Sequence, residues 1–230
     1  MAALPLPLAC ALRPTPLAHA DYPCYRALYA DPRVAAPTGL PALADEDEAR
    51  RWFHAALALA PEQGRIMALR LGGQGALAGV LRLTDWDRGA GVLTLGYALS
   101  PEWWGRGLMR ECLAEVLPWL FGGGLGAPLH RIQGWVLSDN HPSRRLLAKL
   151  GFTHEGTLRG VFRHGASRHD VCAYGLLISD HPAAALAHET AYAPDGSAST
   201  TESPKPEPFC QSRSHTHPSH SSPMQGAQRS

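Results

Sequence analysis

The segment from Val92 to Phe121 restricts the possible folds more than any other part of the sequence. An apolar run, Val92–Leu99, precedes a short turn with Gly105-Arg106-Gly107, and helical periodicity then continues to Phe121. A helix that begins after such a turn has unpaired backbone N–H groups at the positive end of its dipole. Because glycine lets a bulky anion approach the main chain, the segment is suited to binding a phosphate or diphosphate.

The spacing of these glycines excludes two common phosphate-binding motifs. The segment matches neither G-x-x-x-x-G-K-[ST] nor G-x-G-x-x-G, so it predicts neither a nucleoside-triphosphate P-loop nor a dinucleotide fold. Taken alone, the two glycines are better interpreted as an ordinary tight turn.

The periodicity of the first 180 residues predicts an α+β domain. The best-defined helix follows Asp45, which can cap it, with Glu48 at the spacing of a capping box. Strands are predicted near 8–12, at 66–71, 76–83, 92–99 and 131–137, and near 152–162 and 170–178; helices are predicted at 22–30, after 45, at 107–121 and at 142–150. We therefore predict about seven strands and four helices, with three antiparallel strands in a row between residues 66 and 99.

Composition changes abruptly near residue 180. Beyond Ser179, serine, threonine, proline and histidine dominate, and large aliphatic residues nearly vanish. Such a segment cannot bury enough apolar surface to offset the entropy of ordering it. We expect a domain at 1–180 and a disordered tail at 181–230. The histidines at 215–220 lack a second ligand cluster, so we expect no metal site.

Bulk properties predict a cytoplasmic protein. The formal net charge of +1 gives no argument for nucleic-acid binding, and no apolar run is long enough to cross a membrane. Five scattered cysteines without a C-x-x-C pair indicate reduced thiols. Ala18-His19-Ala20 resembles a signal-peptide cleavage site, but the preceding stretch lacks a basic flank and contains Pro5 and Pro7, so we expect no signal peptide.

Four segments follow one another in a characteristic order. They are Gly96-Tyr97 leading to Trp104-Gly105-Arg106-Gly107, then His130-Arg131-Ile132, then Asn140-x-x-Ser143 with Lys149-Leu150-Gly151-Phe152, and finally Glu155-Gly156. Their combination resembles the GNAT N-acetyltransferases, and most of all the RimJ/RimL branch, which acetylates protein N-termini. The resemblance covers about residues 8–179 and implies an α+β fold of the GNAT type. In this fold a mixed, mostly antiparallel sheet of about seven strands is flanked by four helices, and the central strands splay apart.

The resemblance implies acetyl-CoA as the co-substrate, bound at the start of the central helix. Its diphosphate is expected on the backbone N–H groups of Trp104, Gly105, Arg106, Gly107, Leu108 and Met109, with Arg106 adding charge at the rim. Its pantetheine amides are expected to pair with the main chain of Tyr97, Ala98 and Leu99.

Two polar residues after the fifth predicted strand extend this expectation. By resemblance, Asn140 contacts the cofactor, and Ser143 is the catalytic residue that hydrogen-bonds the CoA sulfur and helps to protonate the leaving thiolate. The alternatives are that Asn140 is a helix N-cap and that Ser143 bonds local backbone in the first turn.

The sequence does not identify a general base. Many relatives carry a glutamate two residues before the Gly-Tyr pair, where this chain has Thr94. Asp85, Asp87 and Glu155 remain as candidates by elimination, although Glu155 is better interpreted as structural, paired with Arg159 or a strand edge.

These observations favour an acetyl-CoA-dependent N-acetyltransferase acting on a protein N-terminal α-amino group, for example of a ribosomal protein. Two alternatives stay open: an acetyltransferase for a small amine such as a polyamine, amino acid or antibiotic, and a CoA-binding module without turnover. The expected partners are the amine acceptor and, at most, a second copy of the chain, so the protein is a monomer or a homodimer, with no nucleic acid or membrane partner.

Overall fold

The computed structural model describes residues 10–38, 45–164 and 167–181. The strands are β1 (Leu12–Pro16), β2 (Arg65–Leu71), β3 (Gly79–Asp87), β4 (Val92–Leu99), β5 (Arg131–Leu137), β6 (Thr153–His164) and β7 (Ser167–Leu177). The α-helices are α1 (Tyr22–Ala30), α2 (Pro32–Thr38), α3 (Glu46–Leu57), α4 (Leu108–Phe121) and α5 (His141–Lys149). The predicted tail, except His181, and the predicted histidine cluster lie outside the described residues.

The seven strands form one sheet with the order β1-β2-β3-β4-β5-β7-β6. Five of the six neighbouring pairs are antiparallel, and only β4 and β5 run parallel. This arrangement confirms the predicted α+β class with a mostly antiparallel sheet.

The parallel pair at the centre of the sheet is incomplete. Strands β4 and β5 are in register from Val92 beside Arg131 to Thr94 beside Gln133, and the pairing ends there. Both strands nevertheless continue, β4 to Leu99 and β5 to Leu137. The predicted splaying of the central strands is therefore confirmed.

The sheet separates two hydrophobic clusters. On one face, helix α4 buries residues such as Leu113 and Leu117 against the odd-numbered side chains of β4. On the other face, α1 and α3 bury Tyr25, Tyr29 and Phe53 against the sheet. Because both faces are covered, the open end of the β4–β5 pair lies between two packed layers.

The structure contains one helix more than the sequence predicted, and its first strand begins later. Asp31-Pro32 ends the first helix after Ala30, as predicted. The same proline also begins the unpredicted α2, because proline is well accommodated in a first helical turn and the Asp31 carboxylate accepts the Arg33 N–H at 2.9 Å. Strand β1 covers Leu12–Pro16, not the region near 8–12.

Several predicted helix ends are confirmed. The Asp45 carboxylate caps α3 by accepting the Glu48 N–H at 2.8 Å. Gly151 ends α5 with a φ of 89°, a left-handed conformation that glycine adopts without strain.

A buried ion pair connects the edge of the sheet to the segment before α1. Asp21 is 5% exposed, and both of its carboxylate oxygens lie 2.7 Å from Nη2 of Arg70 on β2. One of these oxygens also accepts the Ala18 N–H at 2.9 Å. Removing the cation would leave a buried carboxylate without its partner, which is more costly than losing an exposed pair.

We expect Arg70→Met to lower the free energy of unfolding by about 3 kcal/mol. The matched control is Arg33→Met, since Arg33 pairs with Asp31 while 67% of its side chain is exposed, and its loss should cost less than about 1 kcal/mol. Urea unfolding of both variants measures the difference. Equal losses would contradict a stabilising role for the buried pair.

Candidate functional site

A large cleft lies where β4 and β5 part. It has a volume of about 680 Å³ and is bordered by α2, the ends of β4 and β5, and the first turns of α4 and α5. Ten of the eleven residues predicted from the sequence line it: Tyr97, Ala98, Leu99, Trp104, Gly105, Gly107, Leu108, Met109, Asn140 and Ser143. The structure therefore brings ten of the predicted residues together at one cleft, and their binding of a cofactor stays a prediction.

Arg106 is the exception among the predicted residues. Its side chain is directed to the rim, where the guanidinium carbon lies 4.9 Å from the centre of the Trp103 ring. Arg110, one helical turn further on, lines the cleft instead.

The start of α4 exposes a row of backbone amides to the cleft. Gly105 and Gly107 have φ values of 72° and 78°, so each occupies the left-handed region that disfavours other residues. The Glu111 N–H bonds the Gly107 carbonyl at 3.1 Å, so the amides of Leu108 to Arg110 precede the first α-helical hydrogen bond. The Trp104 N–H already bonds the Pro101 carbonyl at 3.2 Å, so the predicted contribution of this amide is not supported.

The inner edge of β4 offers alternate main-chain groups to the cleft. The Ser100 N–H donates to the carbonyl of Ala78, which precedes β3. Because backbone groups alternate in direction along a strand, the N–H and carbonyl of Ala98 also face β3. The groups of Tyr97 and Leu99 therefore face the gap. The Leu99 carbonyl accepts the indole N–H of Trp104 at 2.7 Å, which explains why Trp104 stays 46% exposed outside the core.

A hydroxyl pair spans the gap between β4 and α5. The hydroxyl oxygens of Tyr97 and Ser143 are 2.7 Å apart. Burial raises the pKa of Tyr97 to about 12, although the hydrogen bond with Ser143 partly offsets this. Either hydroxyl can donate in this pair, and when Tyr97 donates, the serine proton is left available to a ligand.

Asn140 joins two walls of the cleft. Its side-chain oxygen accepts the Ser143 N–H at 3.1 Å, which confirms it as the N-cap of α5. Its side-chain nitrogen donates to the Pro37 carbonyl of α2 at 3.0 Å. The carboxamide thus fixes α2 relative to α5, a role that the sequence did not reveal because α2 itself was not predicted.

The candidate bases do not line the cleft or the adjoining gap. The Thr94 hydroxyl lies 3.3 Å from Nε2 of Gln133, and the Asp87 carboxylate accepts two amides of its own turn. Glu155 pairs with Arg131 at 2.6 Å, which lowers the pKa of its carboxyl. The structural interpretation of Glu155 is supported, with Arg131 and not Arg159 as its partner.

Three titratable residues of the cleft were missed. Arg33 was hidden in the unpredicted helix α2, while Asp139 and His169 stand at positions that no motif marks. Asp139 follows β5 and His169 lies on β7. Only this placement could have indicated these two residues.

Comparison with known proteins assigns the chain to a family. Residues 11–153 match the acetyltransferase (GNAT) domain family. An uncharacterized N-acetyltransferase, YoaA of Bacillus subtilis, is 36% identical over 36% of this chain and 45% of its own length. The ribosomal protein uS5-alanine N-acetyltransferase of Escherichia coli is 37% identical over 27% of this chain and 30% of its own length. The chain therefore matches less than half of either relative.

Solved structures share the fold at low sequence identity. RimL, a ribosomal L7/L12 α-N-protein acetyltransferase solved with coenzyme A, gives a TM-score of 0.64 at 18% identity, covering 75% of this chain and 97% of its own. Spermidine N-acetyltransferase from Vibrio cholerae, solved with CoA and spermine, gives a TM-score of 0.64 at 19% identity, covering 74% of this chain and 97% of its own.

The fold is one that known acetyltransferases share. More specifically, the chain belongs to the GNAT N-acetyltransferase family. None of its described helices is long and apolar enough to cross a bilayer.

Mutation can separate the two hydrogen bonds that the Asn140 side chain makes with Ser143 and Pro37. Asn140→Asp keeps the capping oxygen but loses the donor to Pro37, whereas Asn140→Ala loses both. We expect Asn140→Ala to lower the free energy of unfolding by about 1–2 kcal/mol and Asn140→Asp to lower it less. Amide hydrogen exchange in α2 should accelerate in both variants. Unchanged exchange in Asn140→Asp would exclude the proposed link between α2 and α5.

Proposed function

We propose that this chain transfers an acetyl group from acetyl-CoA to a primary amine, and that the favoured acceptor is a protein N-terminal α-amino group. The observation that carries the proposal is the parting of β4 and β5 beside the exposed amides of α4. Family membership supports the reaction class, and the acceptor is inferred from the chemistry of the site.

The residues of the cleft fit a CoA thioester. The amides of Gly105 to Arg110 form a concave row at a helix N-terminus, which suits a diphosphate. Arg106 and Arg110 add positive charge nearby, and the edge amides of Tyr97 and Leu99 can pair with an extended arm. When bound, acetyl-CoA supplies an activated acetyl group whose carbonyl carbon accepts the amine.

The edge of β4 can stabilise charge that develops on the acetyl oxygen. A backbone N–H that faces the gap and lacks a strand partner is already oriented, so it costs little reorganisation during the reaction. The N–H groups of Tyr97 and Leu99 face the gap, as the alternation along β4 requires. Their position supports an oxyanion-stabilising role.

The Tyr97–Ser143 pair is suited to assisting the leaving thiolate. Either hydroxyl can donate in this pair, and with Tyr97 as the donor the serine hydroxyl can direct its own proton towards sulfur. Burial keeps Tyr97 protonated at any physiological pH, since its pKa is raised to about 12. The net proton comes from the amine nitrogen, which becomes acidic as it forms the amide bond.

An α-amine needs little help from a general base. Its reference pKa is about 8, so about a tenth is neutral at pH 7, whereas a lysine side chain with a pKa of about 10.4 is almost fully protonated. Asp85, Asp87 and Glu155 do not line the described cleft, but Asp139 and His169 do, and a modest base of this kind suits the acceptor with the lower pKa.

A small amine is the second candidate acceptor. The fold likeness to a spermidine N-acetyltransferase favours it, although that likeness concerns the fold alone. Mass-spectrometric detection of acetylation on panels of N-terminal peptides and small amines tests both. Preferential modification of the peptides is expected.

Gly107→Val should weaken the binding of CoA at least tenfold, because a side chain at this left-handed position blocks approach to the amides. Gly126→Val is the matched control, since Gly126 also has a positive φ but lies outside the cleft. Isothermal calorimetry measures both affinities. Wild-type affinity in a folded Gly107→Val protein would contradict the amide cradle.

Ser143→Ala should lower kcat about a hundredfold with little change in CoA affinity, because it removes the donor to sulfur. The fold should be retained, since the cap bond uses the Ser143 backbone N–H. Tyr97→Phe should lower kcat less, and by a factor independent of pH between 6 and 10, because Tyr97 stays protonated there. If the pH profile of kcat showed an ionisation between pH 7 and 10 that disappeared in Tyr97→Phe, this assignment would be contradicted. Normal turnover of Ser143→Ala would contradict it as well.

A further inference from the structure

The lining of the cleft contains few groups that can accept a proton. Among the described residues, five titratable side chains line it: Arg33, Tyr97, Arg110, Asp139 and His169. The arginines stay protonated at every physiological pH, and Tyr97 keeps its proton because burial raises its pKa to about 12. Asp139 and His169 therefore remain as the possible proton acceptors, and an imidazole is the better base near neutral pH.

Asp139 and His169 stand opposite each other at the end of the sheet, although 30 residues separate them in sequence. The antiparallel pairing of β5 with β7 continues past Leu137, because the Ser138 N–H donates to the Asp170 carbonyl at 3.0 Å. The next step of the same register places Asp139 beside His169, on one side of the sheet. The strand pairing thus brings a carboxylate and an imidazole to the same part of the cleft.

Both side chains are available to a ligand. Within the described residues, no ion pair holds either Asp139 or His169, and the two are not paired with each other. The His169 side chain is half-buried, and its ring centre lies 6.2 Å from that of Phe162 on β6. Since His169 also lines the cleft, its ring has access to a substrate there.

The charges of the cleft favour proton uptake by His169. The Asp139 carboxylate follows β5 and would stabilise an imidazolium at His169. Arg33 of α2 has the opposite effect, but its guanidinium is already paired with the Asp31 carboxylate at 2.6 Å. Arg110 of α4 is the other cation of the described lining. Asp139 is thus the charge that the sheet itself holds beside the imidazole.

The neighbours of His169 on β7 are directed to the other side of the sheet, because side chains alternate along a strand. The Arg168 guanidinium donates to the Gly160 carbonyl at 3.2 Å, and the Asp170 carboxylate accepts the Gly160 N–H at 2.7 Å. The partner of His169 on β6, Phe162, carries no charge. These contacts hold the β6–β7 pair, and with it the backbone of His169, in place.

We infer that His169 is the general base of the reaction, and that the Asp139 carboxylate stabilises the imidazolium that forms when His169 takes a proton from the acceptor ammonium. The inference rests on the proposed function and assigns it a further catalytic residue. It moves the base from β4, where many relatives carry a glutamate and this chain has Thr94, to β7.

The bonds and protons of this step balance. One N–H bond of the ammonium breaks, and its proton passes to an imidazole nitrogen of His169 and then to solvent. The electron pair left on nitrogen forms the C–N bond to the acetyl carbon, and the C–S bond breaks. A second proton of the same nitrogen reaches the sulfur through the Ser143 hydroxyl, so the products are the amide and the thiol.

The test is the pH dependence of kcat with acetyl-CoA and an alanine tetrapeptide as the acceptor. His169→Ala should lower kcat about a hundredfold near pH 7. The loss should shrink to less than about tenfold above pH 9, where most of the α-amine is neutral without a base. Added imidazole should restore part of the rate near pH 7. A structural role alone would lower kcat by the same factor at every pH.

His154→Ala is the matched control, because His154 is an exposed histidine of β6 that lies 3.3 Å from the Thr157 hydroxyl and does not line the cleft. Its kcat should equal that of the wild type at every pH. The Kd of CoA should be unchanged in both variants, since neither removes a group that contacts the cofactor.

Asp139→Asn keeps the inference testable if His169→Ala does not fold. It should lower kcat several-fold near pH 7 and by a smaller factor above pH 9. Wild-type kcat, or a loss that is equal at both pH values, would overturn the inference if found in folded His169→Ala, or in Asp139→Asn where His169→Ala does not fold. Absence of acetyl transfer by the wild type to any amine would instead refute the proposed function, and the inference with it.

Discussion

The interrupted pairing of β4 and β5 is the constraint on which the site depends. Each strand remains fully paired on its outer side: β4 with β3 as far as Leu99 beside Gly79, and β5 with β7 as far as Leu137 beside Val171. These outer ladders hold the two strands in place while their inner edges separate. Main-chain groups are thereby left facing a gap, and unpaired backbone groups in a partly buried position are costly unless a ligand or water satisfies them.

The residues around this gap form a connected polar network. Tyr97 reaches Ser143 from β4, Asn140 caps the same helix turn, and the Asn140 amide extends to Pro37 of α2. One short segment, 140–143, therefore contacts both the central strand and the helix that closes the cleft. This explains how a small loop after β5 can position groups on either side of the gap.

The glycine turn supplies the other half of the site. Gly105 and Gly107 both need positive φ values, so their backbone bends the chain sharply from the end of β4 into α4. The amides at the helix start then point towards the cleft instead of into a preceding turn. The arginines at the rim add charge without filling the space, since Arg106 packs on Trp103.

Sequence reasoning succeeded where local patterns determine structure. Alternating apolar runs located β2 to β7, and the Asp45 capping signal located α3, because both depend on neighbours in sequence. The motif residues from Tyr97 to Ser143 located the cleft through family resemblance.

Sequence reasoning failed where contacts between distant parts of the chain determine the structure. Helix α2 begins at a proline that resembled a stop signal, and its packing depends on Asn140, more than a hundred residues later. The cavity of about 150 Å³ beside the cleft was also not predicted, because Tyr29, Arg82 and Trp135 belong to three separate elements and share no spacing. The hydrogen bond of the Trp104 amide likewise follows from the conformation of the turn.

A crystal structure of the protein with CoA tests the central claim most directly. The account predicts that the diphosphate lies on the amides of residues 105–110 and that the sulfur lies in the gap, within about 3.5 Å of the Ser143 hydroxyl. A complex in which CoA lies elsewhere, or in which β4 and β5 pair along their full length and close the gap, would contradict it.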